Sequence, residues 1–142
     1  MKMMKVRNVK APQRANPHDA GIDFYVPYDF QGVRLKHGEA ALIPSGIKVD
    51  VPEGYALIMT NKSGVASKKN LDVMACVIDA GYQGEVHINL INNGTKDVII
   101  EPGDKIVQGI LFPVVCCNIT MVDELWTEKS ARGEGGFGST GA

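Results

Sequence analysis

The strongest constraint on the fold is the alternation of apolar and polar residues in EVHINLIN, residues 85–92. Val86, Ile88 and Leu90 fall on one side of an extended chain, and the residues between them fall on the other. This period of two predicts a strand with one buried face. Similar runs occur at IDFYV, EAALI, GIKVDV, YALIMT, DVII, KIVQGILF and CCNITMV, separated by turn-forming segments such as VPEG, NNGTKD and EPGD.

Many short strands joined by tight turns predict an all-β domain, built as an antiparallel barrel or sandwich. Only SGVASKKN and VDELWTEKS are suited to a helical turn or two, so the βα alternation of nucleotide-binding α/β folds is missing. With 142 residues, the chain is long enough to bury the core of one domain without a disulfide or a metal. Functional side chains are therefore expected on loops and strand ends.

The charge and cysteine content exclude several classes of protein. A net charge of -1, with 22% charged residues, lacks the basic excess of a nucleic-acid or membrane-surface binder. No apolar run approaches the roughly 20 residues of a membrane span. The chain has an odd number of cysteines, Cys76, Cys116 and Cys117. Neighbours on a strand point to opposite faces, so Cys116 and Cys117 are poorly placed to pair. We therefore expect reduced, partly buried thiols in a cytosolic protein.

The segment RGEGGFGSTGA, residues 132–142, matches the spacing G-x-G-x-x-G but is not followed by a helix in the sequence, so a dinucleotide-binding turn is not expected. A frayed tail is the simplest alternative. However, Arg132 offers a bidentate fork for phosphate, Ser139 and Thr140 offer hydroxyl donors, and Phe137 offers a face for a base. Our hypothesis is a core at 1–126 and a flexible arm at 127–142 that closes over a phosphorylated ligand.

Two further stretches contain charged residues in places where a ligand would explain them. Asp23 interrupts the apolar strand IDFYV, where a carboxylate is costly unless it lies at a strand end or meets a cation. Lys62, Ser63 and Gly64 combine a cation, a hydroxyl and a glycine, as phosphate-binding loops do. An edge-strand aspartate and a solvated basic loop are the alternatives without function.

Two more stretches place polar residues at a hairpin and within a strand. In CVIDAGYQGEV, Asp79 ends an apolar strand beside a turn with Tyr82 and Gly84, where a carboxylate can orient a water molecule. Gln108 interrupts the apolar strand KIVQGILF, and a buried amide needs a hydrogen-bond partner or a ligand. A turn aspartate and an amide bonded to backbone are the alternatives.

In this order, AGIDFY, NKSGVAS, CVIDAGYQG, GDKIVQ and RGEGGFGSTG resemble the five motifs of the trimeric dUTPase family, from about Ala20 to Gly141. The resemblance implies a jelly-roll-like antiparallel β-barrel, a homotrimer with C-terminal arm exchange, and active sites that each draw on all three subunits. It also implies hydrolysis of dUTP to dUMP and pyrophosphate with Mg²⁺, which limits uracil incorporation into DNA and supplies dUMP for dTMP synthesis. The implied location is the cytoplasm, of the host if the protein is viral, with no nucleic-acid or membrane partner.

The resemblance also implies roles for individual residues. Asp79 would activate the water that attacks the α-phosphate, Tyr82 would pack on the deoxyribose, and Asp23 would contact Mg²⁺ through water. The hairpin backbone would pair with uracil, Arg132 would hold the terminal phosphate, and Phe137 would stack on the base. The full set of implied substrate contacts is Lys62, Ser63, Gly64, Cys76, Ile78, Tyr82, Gly84, Glu85, Gln108, Arg132, Gly136, Phe137, Gly138, Ser139 and Thr140.

Three residues depart from the pattern of the family. Lys62 stands where arginine is usual, and a lysine lacks the planar fork. Asn61 replaces the usual proline, and Cys76 replaces the usual glycine.

Two other functions stay open. One is a dCTP deaminase of the same superfamily, with Glu85 and His87 as acid and base. The other is a jelly-roll structural or nucleotide-sensing protein without turnover.

Overall fold

The computed structural model describes residues 1–126, 128, 130–131 and 133–135. This part of the chain contains ten strands and one short helix. The strands are β1 (Lys2–Lys5), β2 (Ile22–Tyr25), β3 (Val33–Leu35), β4 (Ala40–Asp50), β5 (Tyr55–Asn61), β6 (Leu71–Val73), β7 (Val77–Asp79), β8 (Glu85–Asn92), β9 (Val98–Ile100) and β10 (Lys105–Pro113), and the helix is α1 (Ser63–Lys69). The predicted all-β, antiparallel class is confirmed.

The strands form two four-stranded sheets and a two-stranded one. Their orders are β1-β4-β8-β6, β2-β10-β5-β7 and β3-β9, and every strand pair is antiparallel. The two predicted strands EAALI and GIKVDV are one continuous strand, β4, whose register against β8 shifts between Pro44 and Lys48. Gly46 lies in this irregular stretch at φ 72°, a conformation that glycine adopts without strain.

The core is a single apolar cluster to which all three sheets contribute. Val86, Ile88 and Leu90 are each about 1% exposed, which confirms the predicted inward face of β8. Phe24 and Leu57 enter the cluster from the second sheet. Because this core is continuous, the strands hold the loops at their ends in fixed positions.

One buried polar side chain, Asn92 at the end of β8, joins the third sheet to the rest. Its Nδ2 donates to the carbonyl oxygens of Leu35 and Lys96 at 2.9 Å each, and its Oδ1 accepts from the Gly94 amide at 2.9 Å. Asn92 is 0% exposed, so these three hydrogen bonds offset the cost of burying an amide. The turn between β8 and β9 is thereby fixed.

The sequence interpretation is wrong for the segment after β10. CCNITMV lies in no strand, and the described residues of VDELWTEKS lie in no helix. Cys116 and Cys117 carry free, exposed thiols rather than partly buried ones, whereas Cys76 is half-buried. The predicted strand and helix do not form because residues 114–126 extend away from the core and lack a pairing partner in the described part of the chain. Val115 and Ile119 in this segment are 93% and 88% exposed. Within the described residues, no helix is long and apolar enough to cross a membrane.

Candidate active site on the outer face of one sheet

Four of the five sequence stretches meet in the sheet β2-β10-β5-β7. In antiparallel strands, residues that lie directly opposite each other project from the same face. The register therefore defines three rows on the outer face, away from Phe24 and Leu57. These rows are Asp23–Gln108–Thr60, then Val77–Ile58–Ile110, then Asp79–Ala56–Phe112. The face is thus polar at its first row and apolar at its second, and its third row carries one polar side chain, Asp79.

The first row contains a buried carboxylate held by two lysines. Asp23 is 3% exposed, and its Oδ1 accepts a hydrogen bond from Lys62 Nζ while its Oδ2 lies 3.0 Å from Lys105 Nζ. Burial alone would raise the pKa of Asp23, but the hydrogen bonds from the two lysines outweigh burial and hold that pKa below its usual value. The same contact raises the pKa of Lys105. Of the alternatives left open by the sequence, the structure shows the one in which this carboxylate meets cations.

Gln108 lies beside this cluster in a fixed orientation. Its Nε2 donates to the Asn61 carbonyl oxygen at 3.0 Å. A Cβ added at Gly21 would overlap Gln108 Oε1, so a side chain at position 21 would displace this amide from its present position. Next in the row, the Thr60 hydroxyl is buried with no hydrogen-bond partner in the described structure. One amide hydrogen of Gln108 has no partner among the described residues and can bond to a ligand, whereas the Thr60 hydroxyl is buried.

The predicted basic loop begins the helix α1. Lys62 is its N-cap residue, and its carbonyl oxygen accepts from the amides of Val65 and Ala66 at 2.9 and 2.8 Å. No side chain caps this end, so the Lys62 side chain is free to reach Asp23. Ser63 and Gly64 form the first turn, and a side chain at Gly64 would meet open space. The loop thus places Ser63 and Gly64 directly after Lys62, at the start of α1.

The third row ends at the hairpin that carries Asp79 and Tyr82. Asp79 is the exposed last residue of β7, and Gly81 turns the chain at φ 87°. The Tyr82 hydroxyl donates to the Glu85 carbonyl oxygen at 3.0 Å. The tyrosine ring covers Gly84, where any side chain would overlap it. A half-exposed aromatic ring is therefore fixed beside an exposed carboxylate, as the surface of a ligand site requires.

The remaining predicted hairpin residues are engaged by the protein. The Cys76 carbonyl oxygen accepts from the Met59 amide at 2.7 Å, and Ile78 is 7% exposed. The Glu85 carboxylate accepts from Arg7 Nε at 2.8 Å and from the Gly46 amide at 2.7 Å. Burial opposes ionisation of Glu85, but these hydrogen bonds outweigh it and lower its pKa. Glu85 therefore acts as an ion-pair partner within the fold.

The two polar ends of the face do not meet within one chain. Thr60 and Ala56 mark the two end rows on β5 and are four residues apart, which is about 13 Å along a strand. Asp79 therefore lies well beyond hydrogen-bond reach of the Asp23 cluster. The predicted arm contacts Arg132, Gly136, Phe137, Gly138, Ser139 and Thr140 lie outside the described residues.

Sequence reasoning missed one cation of this site, Lys105. It lies opposite Tyr25 beyond an irregularity of the β2–β10 pairing, and this irregularity brings its ammonium group onto Asp23. The only signal in the sequence was its place in GDKIVQ, three residues before Gln108. Without the register of the bulge, its target was not predictable.

The buried Asp23 should make stability sensitive to acid. A carboxyl group whose pKa is lowered by folding stabilises the protein fully above its unfolded pKa, near 3.9, and this contribution is lost as the pH falls through the folded pKa. We expect Asp23→Asn to lower the free energy of unfolding by about 2 kcal/mol at pH 6 and by much less near pH 2.5. Urea denaturation across this range measures the difference. Asp97→Asn, which changes an exposed ion pair, is the matched control, and a pH-independent loss in Asp23→Asn would contradict the assignment.

Comparisons with known proteins identify the family and the fold. The dUTPase family model matches residues 7–141. The deoxyuridine 5'-triphosphate nucleotidohydrolase of Clostridium tetani is 41% identical, over 99% of this chain and 94% of the relative, and that of Chlamydia pneumoniae is 41% identical, over 92% and 90%. The dUTPase of Staphylococcus bacteriophage 80alpha, solved with dUPNHPP, has a TM-score of 0.87 at 30% identity, covering 99% of this chain and 98% of that one.

A mutant dUTPase of phage phi11 of S. aureus, described as revealing the coordination of a structural Mg(II) ion, has a TM-score of 0.78 at 28% identity. It covers 87% of this chain and 97% of its own. The sequence match spans nearly all of the chain, and the structural likeness includes the sheet that carries the candidate site. The chain belongs to the dUTPase family.

Proposed function

We propose that the protein is a dUTP diphosphatase, which hydrolyses dUTP to dUMP and pyrophosphate. The observation that carries this proposal is the outer face of one sheet, with a cation-rich end around Asp23 and a carboxylate and an aromatic ring at the other end. The first end suits a triphosphate, and the second suits a nucleoside and a water nucleophile. Membership of the dUTPase family indicates that the nucleotide is dUTP.

In this mechanism, Asp79 orients a water molecule and accepts its proton as the water attacks the α-phosphate. Asp79 is exposed at the end of β7, so a water molecule can reach its oxygens. Phosphoryl chemistry of this kind depends on positioning and charge neutralisation more than on covalent catalysis. Lys62, Lys105 and Gln108 neutralise and hold the phosphate chain, and pyrophosphate leaves from this end.

Tyr82 gives the site its preference for a deoxyribose. Its hydroxyl is bonded to the Glu85 carbonyl oxygen, so the ring is fixed over Gly84. A sugar that packs on this ring has no room for a 2′-hydroxyl, and a hydroxyl buried there without a partner would cost binding energy. Backbone groups of residues 76–85 pair with uracil.

We propose that the active enzyme is a homotrimer with shared sites. The row between the two polar ends is apolar, with Val77 58% exposed and Ile58 and Ile110 half-buried, so it suits contact with a second copy. Head-to-tail association would bring the Asp79 end of one subunit to the Asp23 end of the next, and such contacts close into rings. The exposed apolar segment 114–126 leads the chain away from its own body, as an exchanged arm would.

The arm completes the site in this proposal. Arg132, Ser139 and Thr140 hold the terminal phosphate, Phe137 stacks on uracil, and Gly136 and Gly138 permit close approach of the backbone. Ordering such a segment costs about 1–2 kcal/mol per residue, so it closes only when the nucleotide supplies contacts.

The described residues do not fit a Mg²⁺ ion held by protein ligands alone. They contain no cluster of three or more His, Cys, Asp or Glu side chains placed to hold a metal. Both oxygens of Asp23 already accept from lysines, and two ammonium groups oppose an approaching cation. In our proposal the phosphates of dUTP and water would supply most of the ligands of Mg²⁺, and the ion would neutralise charge on the phosphate chain. A contact from Asp23 to this ion through water stays a prediction.

Deamination of dCTP is less well supported. Its candidate acid and base were Glu85 and His87, but the Glu85 carboxylate is bonded to Arg7 and the Gly46 amide, and its pKa is lowered. A carboxylate held in this way is a poor proton donor.

The proposed cellular role has three parts. The enzyme removes dUTP from the nucleotide pool, supplies dUMP for dTMP synthesis, and acts in the cytoplasm.

A nucleotide panel tests the reaction. With Mg²⁺ present, pyrophosphate should be released from dUTP, and at least about 100-fold more slowly from UTP, dTTP and dCTP, because each of these adds or removes a group in a closely packed site. Phosphate detection after pyrophosphatase treatment measures the rates. Ammonia released from dCTP would instead identify a deaminase, and binding without turnover would identify a sensing protein.

Replacement of the water-activating group should separate binding from catalysis. We expect Asp79→Asn to lower kcat by about 10²–10⁴-fold, since general base catalysis contributes this much. Binding of a non-hydrolysable imido analogue of dUTP should change little. Asp97→Asn is the matched control at an exposed ion pair. An Asp79→Asn enzyme with near-native turnover would disprove this role.

Mixing two variants that are each impaired at a different end tests whether sites are shared between subunits. Asp79→Asn lacks the carboxylate end, and Lys62→Met lacks one cation of the other end. If each site takes these ends from different subunits, mixed oligomers formed by co-refolding should recover about one quarter of native activity, as random pairing predicts. Mixing without subunit exchange is the control. No recovery after demonstrated exchange would show that both ends act from the same chain.

A further inference from the structure

We propose that Asn61 is a positioning residue for the phosphate end of the site, acting through Asp72 to hold Lys62 in place. This inference rests on the proposed function. Asn61 is the last residue of β5 and stands where the dUTPase pattern usually has proline. A proline ring restricts the backbone covalently, whereas here hydrogen bonds from the Asn61 side chain can restrict it.

The side chain of Asn61 links two sheets. Its Nδ2 donates to Asp72 Oδ1, and its Oδ1 accepts from the Val73 amide at 2.8 Å. Asp72 and Val73 belong to β6, in the sheet β1-β4-β8-β6, whereas Asn61 ends β5 in the sheet of the site. Both polar atoms of the Asn61 side-chain amide therefore connect the junction between β5 and α1 to the neighbouring sheet by hydrogen bonds.

The backbone of Asn61 connects this link to the catalytic groups. Its carbonyl oxygen accepts from Gln108 Nε2 at 3.0 Å, and the next residue along the chain is Lys62, whose ammonium group bonds to Asp23. The Lys62 carbonyl oxygen is held on the other side by the amides of Val65 and Ala66, at 2.9 and 2.8 Å. Asn61 therefore fixes the β5 side of the junction from which the Lys62 side chain extends.

The link lies at an exposed position, which separates positioning from stability. Hydrogen bonds among exposed groups contribute little to folding because water replaces them. Loss of the Asn61 side chain should therefore leave unfolding almost unchanged and allow Lys62 to take several positions. A flexible Lys62 and Gln108 would weaken phosphate contacts, while the nucleoside end at Tyr82 would not be affected.

The test compares Asn61→Ala, Asp72→Ala and the double variant with the native protein. Each single change should raise KM for dUTP about five- to tenfold with kcat within about twofold, the effect of one or two lost hydrogen bonds. Calorimetric titration with pyrophosphate should show the same loss of affinity, and inhibition by deoxyuridine should not change. Because both changes remove the same link, the double variant should be no weaker than the worse single one.

Two control variants separate loss of this link from loss of a surface carboxylate. Asp72→Asn retains an oxygen that can accept from Asn61 and should behave as the native protein, and Asp97→Ala removes an exposed carboxylate elsewhere. Native pyrophosphate affinity in Asn61→Ala, or equal weakening of pyrophosphate and deoxyuridine, would overturn the positioning role. Pyrophosphate titration needs no turnover, so failure of the native protein to cleave dUTP would count against the proposed function alone.

Discussion

The register of β5 between β10 and β7 is the constraint on which the functional interpretation depends. It places Asp23, Gln108 and Thr60 in one row and Asp79 two rows away, with an apolar row between them. Hydrogen bonds on both sides fix β5 in its sheet, so side-chain rotation cannot bring the two ends together across about 13 Å. In the proposed homotrimer these two ends come from different subunits, and the apolar middle row provides a surface for the second copy.

Burial of Asp23 shows how the cation end is stabilised before any ligand arrives. An unpaired carboxylate at 3% exposure would be strongly destabilising, and two lysines placed together would repel each other. The carboxylate and the two ammonium groups therefore stabilise one another, and the cluster keeps one net positive charge. Lysine in place of arginine suits this arrangement because a compact ammonium group can occupy a single carboxylate oxygen. The remaining positive charge is available to phosphate, and a divalent cation bound directly to Asp23 would have to displace a lysine.

The sequence predicted those features that depend on local pattern. The inward face of β8, the helical turn at Ser63–Lys69 and the need of Asp23 for a cation all follow from periodicity, turn chemistry or the cost of a buried charge. It failed for CCNITMV, where a strand-like composition lies on a segment without a partner in its own chain. It also missed Lys105, whose contact depends on a bulge. A period of two fixes which face of a strand is buried, but it does not identify the strand that lies opposite or the position of a bulge.

Both ends of the site are braced against the same second sheet. At the hairpin, Tyr82 bonds to Glu85, the first residue of β8, and Arg7 and the Gly46 amide hold the Glu85 carboxylate. At the phosphate end, Asn61 bonds to β6, which pairs directly with β8. Strands β8 and β6, which pair with each other, therefore fix the positions of the two ends of the site, and these ends do not meet within one chain. If the two ends meet across a subunit boundary, as proposed, errors in their relative placement arise mainly at that boundary rather than within either subunit.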